Sequence, residues 1–245
     1  MRRALPLFAL LAAPALAAEP PDADALLTRI DQNLTFDTRS STATMTVVKP
    51  RRTKVYELRS YARGGDEGAT EFLSPARDAG TKMLKKGDEL WMYLPSIEKV
   101  QKLSGHMLRQ GVMGSDMSYE DLLEASAWRA HYTATVTGEA PWEGRPAWVV
   151  ELTATAPDVA YARRVVHVDQ EWGLPVHQEL YAVSGTLLKT WTMSEPKAFG
   201  ERWYPTKMVV TDALNPANYT ELVFTEVSFS VPLEEEVFSQ RWLER

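Results

Sequence analysis

The sequence predicts a mainly β protein: one strongly curved antiparallel sheet wrapped around a few helices, with a cavity between them. Three observations carry this. From residue 42 onward, short runs with period-two patterning follow one another to the end of the chain, as half-buried strands do. Turn residues punctuate them, as at Gly64-Gly-Asp-Glu-Gly68, Trp142-Glu-Gly144, Trp172-Gly-Leu-Pro175 and Leu214-Asn-Pro-Ala217. Several strands are apolar on both faces. Leu90, Met92 and Leu94 alternate with Trp91 and Tyr93, and Leu187, Trp191 and Met193 with Leu188, Thr190 and Thr192, so each face meets something other than water.

The elements come in order along the chain. Arg2 and Arg3, an apolar run from Leu5 to Leu16 and the small residues Ala15-Leu-Ala17 make a secretory signal peptide over residues 1–17, with cleavage after Ala17 or one residue later. Residues 24–34 form an amphipathic helix with Leu26, Leu27, Ile30 and Leu34 on one face. Strands are expected over 42–49, 54–63, 69–74, 81–86 and 89–94, the last two a hairpin about Gly87-Asp88. Ser118 caps a helix by accepting from the backbone N–H of Asp121, with Glu120 and Asp121 at its positive end. Further strands are expected over 128–139, 146–154, 162–169, 175–181, 187–194, 202–211 and 219–230. In the last, the apolar phase slips between Phe224 and Val227, which a β-bulge at Thr225-Glu226 explains.

Composition bounds the function. The chain has 245 residues, no cysteine and a formal charge of −6. Loss of Arg2 and Arg3 with the signal peptide takes the charge to −8, which is poorly suited to nonspecific nucleic-acid binding. Without cysteine there is no disulfide and no lipidated N-terminus. No linker or repeat divides residues 18–245, so a single domain is expected there.

No constellation for catalysis stands out. His106, His131, His167 and His177 are scattered, and a lone His167/Asp169 pair on one strand face falls short of the three or four ligands of a zinc site. Gly114-Ser115-Asp116 is not a nucleophile elbow. Catalytic residues, cofactor and metal are therefore expected to be absent. Met107, Met113 and Met117 have a different use, as unbranched side chains of an adaptable apolar surface. The segment 105–118 holds them together with three glycines, and reads as a lid whose exchange rate drops when Gly111 and Gly114 become alanine. Lys49, Arg51, Arg52 and Lys54 form one basic cluster, and Lys82, Lys85 and Lys86 a second.

The F-L-x-P-x-x-x-x-G-T segment at Phe72 to Thr81, the W-M-Y-L-P segment at Trp91 to Pro95 and the G-S-D-x-S-Y-E-D segment at Gly114 to Asp121 sharpen this picture. Together with the signal peptide and the strand run, they resemble the outer-membrane lipoprotein-sorting proteins, a branch of the LolA/LolB-like superfamily. The resemblance implies an incomplete, half-open β-barrel with helices covering the concave face. It further implies a periplasmic carrier that binds acyl chains of a lipoprotein or other lipid, takes them from an inner-membrane transporter and delivers them to an outer-membrane acceptor. Transient peripheral membrane contact and a monomer are expected. Phe72, Leu84, Trp91, Tyr93, Met107, Met113, Met117, Tyr119 and Trp191 are the residues expected for cavity and lid, and Arg51, Arg52, Lys85 and Lys86 for docking to a partner or headgroup. At about 0.8 kcal/mol per methylene, a sixteen-carbon chain contributes about 12 kcal/mol of gross transfer energy, enough to hold it against water but not against a bilayer. A non-lipid adaptor of an envelope export complex, or an enzyme using the same cavity, remain alternatives.

Overall fold

The computed structural model describes residues 20–124, 128–156 and 159–245. The expected signal segment and its cleavage point lie outside them. The fold is a single 13-stranded antiparallel sheet that does not close. It begins with helix α1 (Ala23–Leu34) and strands β1 (Thr38–Lys49), β2 (Arg52–Arg63), β3 (Glu67–Ser74), β4 (Lys82–Lys86), β5 (Glu89–Leu94) and β6 (Lys99–Leu103). Two 3-10 turns (Gly105–Arg109 and Val112–Gly114), α2 (Tyr119–Glu124) and α3 (Trp128–His131) lead to β7 (Tyr132–Glu139), β8 (Ala147–Ala154), β9 (Arg163–Asp169) and β10 (Pro175–Tyr181). Then come β11 (Leu187–Phe199), β12 (Arg202–Asp212), β13 (Tyr219–Phe229), a 3-10 turn (Glu235–Phe238) and α4 (Gln240–Leu243).

The sheet order is β6-β5-β4-β3-β2-β1-β13-β12-β11-β10-β9-β8-β7. Its two edges, β6 and β7, are consecutive in sequence, so the chain from 104 to 131 must pass from one edge to the other. Residues 105–124 of that crossing segment, together with α1, cover the concave face. Asp22 caps α1 by accepting from Ala25 N–H at 3.0 Å. The helix buries Leu26, Leu27 and Ile30 against Val150, Leu152, Val166 and Val168 of β8 and β9. Asn33 fixes its far end, donating to the carbonyl of Trp172 (2.8 Å) and accepting from Trp203 N–H (3.0 Å).

Where the elements differ from expectation, the physical reason is local. The run at 128 opens as a helical turn, because Trp128 and Tyr132, one turn apart, pack on the cluster under α1. Arg129 there donates to Asp31 (3.1 Å) and to the Asp24 carbonyl (2.8 Å). β6 is an addition to the expected strands, a five-residue edge strand carrying Lys99 and Lys102, the sort of lysine-bearing edge that resists further pairing. β11 continues past Pro196, which lies opposite Pro205, so the two residues lacking N–H groups share one step of the ladder. The bulge is present: Thr42 pairs with Glu226 and Ala43 with Phe224, leaving Thr225 as the extra residue.

Candidate functional site

Strand parity sorts the sheet into two faces. On the concave side, Ala43, Met45 and Val47 of β1, Tyr56 and Leu58 of β2, Phe72 of β3, Met83 of β4, Leu90 and Met92 of β5, Tyr204 of β12 and Phe224 of β13 form one buried cluster. The crossing segment lies over it and leaves a cavity of about 330 Å³, at the lower end of the size range of small-molecule sites. Met45, Leu58, Phe72, Met117, Trp191 and Phe224 are among its walls. Every methionine of the described residues belongs to this cluster, its fringe or the cavity wall: Met45, Met83, Met92, Met107, Met113, Met117, Met193 and Met208. Scattered along the sequence, they converge only when the sheet curls.

Of the residues expected for cavity and lid, the fold brings six to this place. Phe72, Met117 and Trp191 line the cavity. Tyr119 is buried beside it, its hydroxyl 3.7 Å from the Met92 sulfur, and Met107 and Met113 pack on the cluster from the crossing segment. Leu84, Trp91 and Tyr93 are a correction. They project from the opposite face, where Phe238, Trp242 and Leu243 of the C-terminal segment cover them. Their neighbours Met83, Leu90 and Met92 face inward instead. A strand apolar on both faces gives no sign of which face holds the cavity; here the outer one is closed by the protein's own C-terminus.

The basic residues separate in the same way. Arg51 and Arg52 are exposed on the β1–β2 turn. Lys86 is exposed and pairs with Glu67 at 3.3 Å. Lys85, expected at the surface, points inward, lines the cavity and donates to the carbonyls of Gly65 (3.1 Å) and Leu123 (3.2 Å). Burial lowers its pKa, with Asp66 and Asp88 opposing. Lys82 is buried on the outer face and donates to the Trp242 carbonyl at 3.2 Å.

The crossing segment is fastened to the sheet along its length. Asp116 accepts from Lys49 and from the Thr220 hydroxyl (2.9 Å), and its N–H donates to that same hydroxyl oxygen (2.9 Å). Tyr56 donates to the Met113 carbonyl at 3.2 Å. Further on, Ser118 accepts from Asp121 N–H (3.2 Å) while its own N–H donates to the Asp121 carboxylate (2.7 Å), a reciprocal cap. Asp121 also accepts from Lys189 (2.8 Å) and Tyr161 (2.7 Å), and Glu124 from Arg164 and Ala160 N–H (2.9 Å). Burial, then the Asp121 charge, raises the Tyr161 pKa and keeps the phenol a donor. A Cβ on Gly111 would sit 2.0 Å from the Ser115 carbonyl oxygen. Alanine at that position therefore breaks the turn, and is not the hinge test its sequence suggested.

The two paired histidines lie on the outer face. His177 stacks on Trp142 at 3.8 Å between ring centroids, with His167 at 5.8 Å. Asp169, on the same strand as His167, is held by Arg145 at 2.6 Å and by the N–H groups of Glu171 and Trp172. Among the described residues there is no cluster of three or more His, Cys, Asp or Glu side chains suited to a metal ion.

The model of a family described as "uncharacterized protein" matches residues 64–245. No curated protein matches the sequence. The solved structure of an outer membrane lipoprotein-sorting protein domain from Vibrio parahaemolyticus is 25% identical with a TM-score of 0.81, over 91% of this chain and 98% of that one. A DUF1329 family protein from Desulfovibrio piger is 24% identical with a TM-score of 0.83, over 89% and 96% of the two chains. A LolA superfamily protein from Nitrosomonas europaea is 22% identical with a TM-score of 0.76, over 91% and 100%. The chain therefore belongs to the family whose model spans residues 64–245, and its open half-barrel is the fold of the LolA-like and lipoprotein-sorting proteins.

Proposed function

We propose that this protein is a periplasmic carrier that binds the acyl chains of a lipoprotein or another lipid in the concave cavity and moves them toward the outer membrane. The observation that carries the reading is the cavity itself: an apolar space walled by methionines and aromatic rings, between a curved sheet and a separate covering segment. Methionine's three rotatable bonds let one wall fit chains of different length and branching. The likeness to a lipoprotein-sorting domain supports the same use. No helix of the described residues is long and apolar enough to cross a membrane, which fits a carrier that meets bilayers only at their surface.

In this reading Phe72, Met107, Met113, Met117, Tyr119 and Trp191 act as wall and cover. Residues 105–110 are the part of the lid that opens, since the Lys49–Asp116 and Lys189–Asp121 contacts hold the remainder of the crossing segment on the sheet. Arg51, Arg52 and Lys86 meet a partner or headgroup. Cargo comes from an inner-membrane transporter and leaves to an outer-membrane acceptor, with the protein working as a monomer and without catalysis.

Native mass spectrometry of protein purified from the periplasm without detergent, followed by organic extraction, tests the proposal. A co-purifying acylated species is the expected result. Empty protein that also fails to take up a fluorescent fatty acid would overturn it and favour an adaptor.

A further inference from the structure

The cavity is polar and cationic at one end, and the strand register shows how. Lys85 on β4 pairs with Gly68 on β3, Gly68 with Ala62 on β2, and Ala62 with Arg39 on β1. Directly paired residues point to the same face, so these four form one row across the concave side. Two long cations stand at its ends. Between them the floor carries only a methyl group and a hydrogen, which leaves a trough three strand spacings, roughly 14 Å, from Cα to Cα.

One step deeper, the row is Met83, Thr70, Ser60 and Ser41. Thr70 and Ser60 share a hydrogen bond of 3.1 Å, and the buried Ser41 hydroxyl has no partner among the described residues. Deeper again the row is Phe72, Leu58, Ala43 and Phe224, wholly apolar. Along the strands the wall thus passes from cations to hydroxyls to hydrocarbon. That is the polarity profile of an amphiphile with a charged head.

Arg39 gives the sign of the head. Its guanidinium lines the cavity, contacts the Tyr204 hydroxyl and lies 5.7 Å from that ring, yet forms no ion pair among the described residues. Its Nε is buried and unpartnered among them. A guanidinium cannot shed its proton, and donors shut away from water are normally paired, so the group calls for an acceptor carrying negative charge. Lys85 brings a second positive charge to the same row. The two acids that border the cavity are already paired: Glu67 with Arg63 (2.5 Å) and Lys86 (3.3 Å), and Asp121 with Lys189 (2.8 Å).

We propose that the Arg39–Lys85 row is a headgroup subsite and that the cargo is an acyl lipid with an anionic oxyanion head, a carboxylate or phosphate. The inference rests on the carrier reading and narrows it, because a lipoprotein's acylated cysteine offers no such anion at the chain junction. Arg39 supplies the planar fork that suits either head, Lys85 a point charge opposite, and Ser41, Ser60 and Thr70 the hydroxyls that meet the ester or glycerol region.

The test compares binding of palmitate, palmitoyl lysophosphatidate and the neutral 1-palmitoylglycerol to the mature protein, by displacement of a fluorescent probe. At least one anionic lipid is expected to bind tenfold or more tighter than the neutral one. Arg39→Gln and Lys85→Gln should each reduce that ratio about tenfold, while Arg39→Lys keeps most of it. The ratio is taken within each variant, so a substitution that merely loosens the cavity leaves it alone, and circular dichroism verifies folding. Preference for lysophosphatidate alone assigns a phosphate, and preference for both a carboxylate-tolerant site. Equal affinities for charged and neutral lipids, or a ratio that survives in the Arg39→Gln/Lys85→Gln double variant, would sink the headgroup subsite while leaving the carrier intact. Failure of all three lipids to bind would remove both.

Discussion

The two halves of the concave face are built on the same alternation and covered differently. Under α1, Leu152, Val150, Val166 and Val168 meet Leu26, Leu27 and Ile30, and the space is filled by branched side chains with few rotamers. Across the sheet, Met45, Met83, Met92 and Met208 meet a segment made of 3-10 turns and a six-residue helix, and about 330 Å³ stays open. A regular amphipathic helix presents one continuous stripe that a flat strand layer can match. Short turns present separated knobs and cannot match it. The difference teaches that the cavity is a property of the cover as much as of the sheet, and that methionine marks the half left open.

The largest effect is expected where the cover is tied to the filled half. Glu124 on α2 reaches the almost buried Arg164 on β9. Glu124→Ala leaves that guanidinium uncompensated and should cost about 3–5 kcal/mol in urea unfolding. A loss under 1 kcal/mol would mean that the cover is not anchored there. Next comes a direct contrast. Leu152→Ala, fully buried under α1, should cost about 2–5 kcal/mol with lipid uptake unchanged, whereas Met208→Ala on the cavity wall should cost under about 2 kcal/mol and shift the preferred chain length. Equal costs at the two sites would indicate that the second half closes up in solution.

The sequence carries the sheet well because period-two patterning and turn residues are local signals, and strand register comes with them at the Thr225 bulge and the Gly87-Asp88 hairpin. The site is less legible. Leu84, Trp91 and Tyr93 are as apolar as Met83 and Met92, and only the position of the C-terminal Phe238 and Leu243 tells outside from inside. That is long-range information. Charge alone does not separate Lys85 from Lys82 and Lys86, though alternation along β4 places it with Met83. Arg39 stays hidden while β1 is taken to start at Thr42, because the polar run ahead of that residue lacks apolar alternation. The strand begins at Thr38, which sets Arg39, Ser41, Ala43 and Met45 on one face.

A smaller effect sharpens the contrast between the inner and outer faces. Burial, with His167 adding to it, pushes the His177 pKa down to about 4, while Glu179 opposes. The folded protein therefore keeps the imidazole neutral between about 4 and the ordinary value of about 6.5, where the unfolded chain binds a proton. More protons bound by the unfolded state means stability falls as the pH drops through that window. The loss is expected to be about 1–3 kcal/mol, and His177→Gln should remove that part of the pH dependence. Because the histidine lies on the outer face, lipid affinity should not track the same profile; if it does, the two faces are coupled through β10 and β11.

The smallest effect tests the cover itself. Ser118→Ala deletes the side-chain half of the reciprocal cap on α2 and should cost about 1 kcal/mol, with Ser118→Asn recovering most of it. Asp121 remains held by Lys189 and Tyr161, so the helix stays on the sheet while its first turn loosens. If opening of the cavity begins at residues 105–110 and spreads to α2, transfer of a fluorescent fatty acid to vesicles should quicken several-fold, more than the stability loss alone gives in the filled-half variant Leu152→Ala. Transfer that stays at the wild-type rate would confine opening to the 3-10 turn ahead of Gly111 and leave α2 part of the fixed wall. In that outcome the boundary between fixed and mobile cover falls at the Lys49–Asp116 contact, which fastens the crossing segment to β1 and β13.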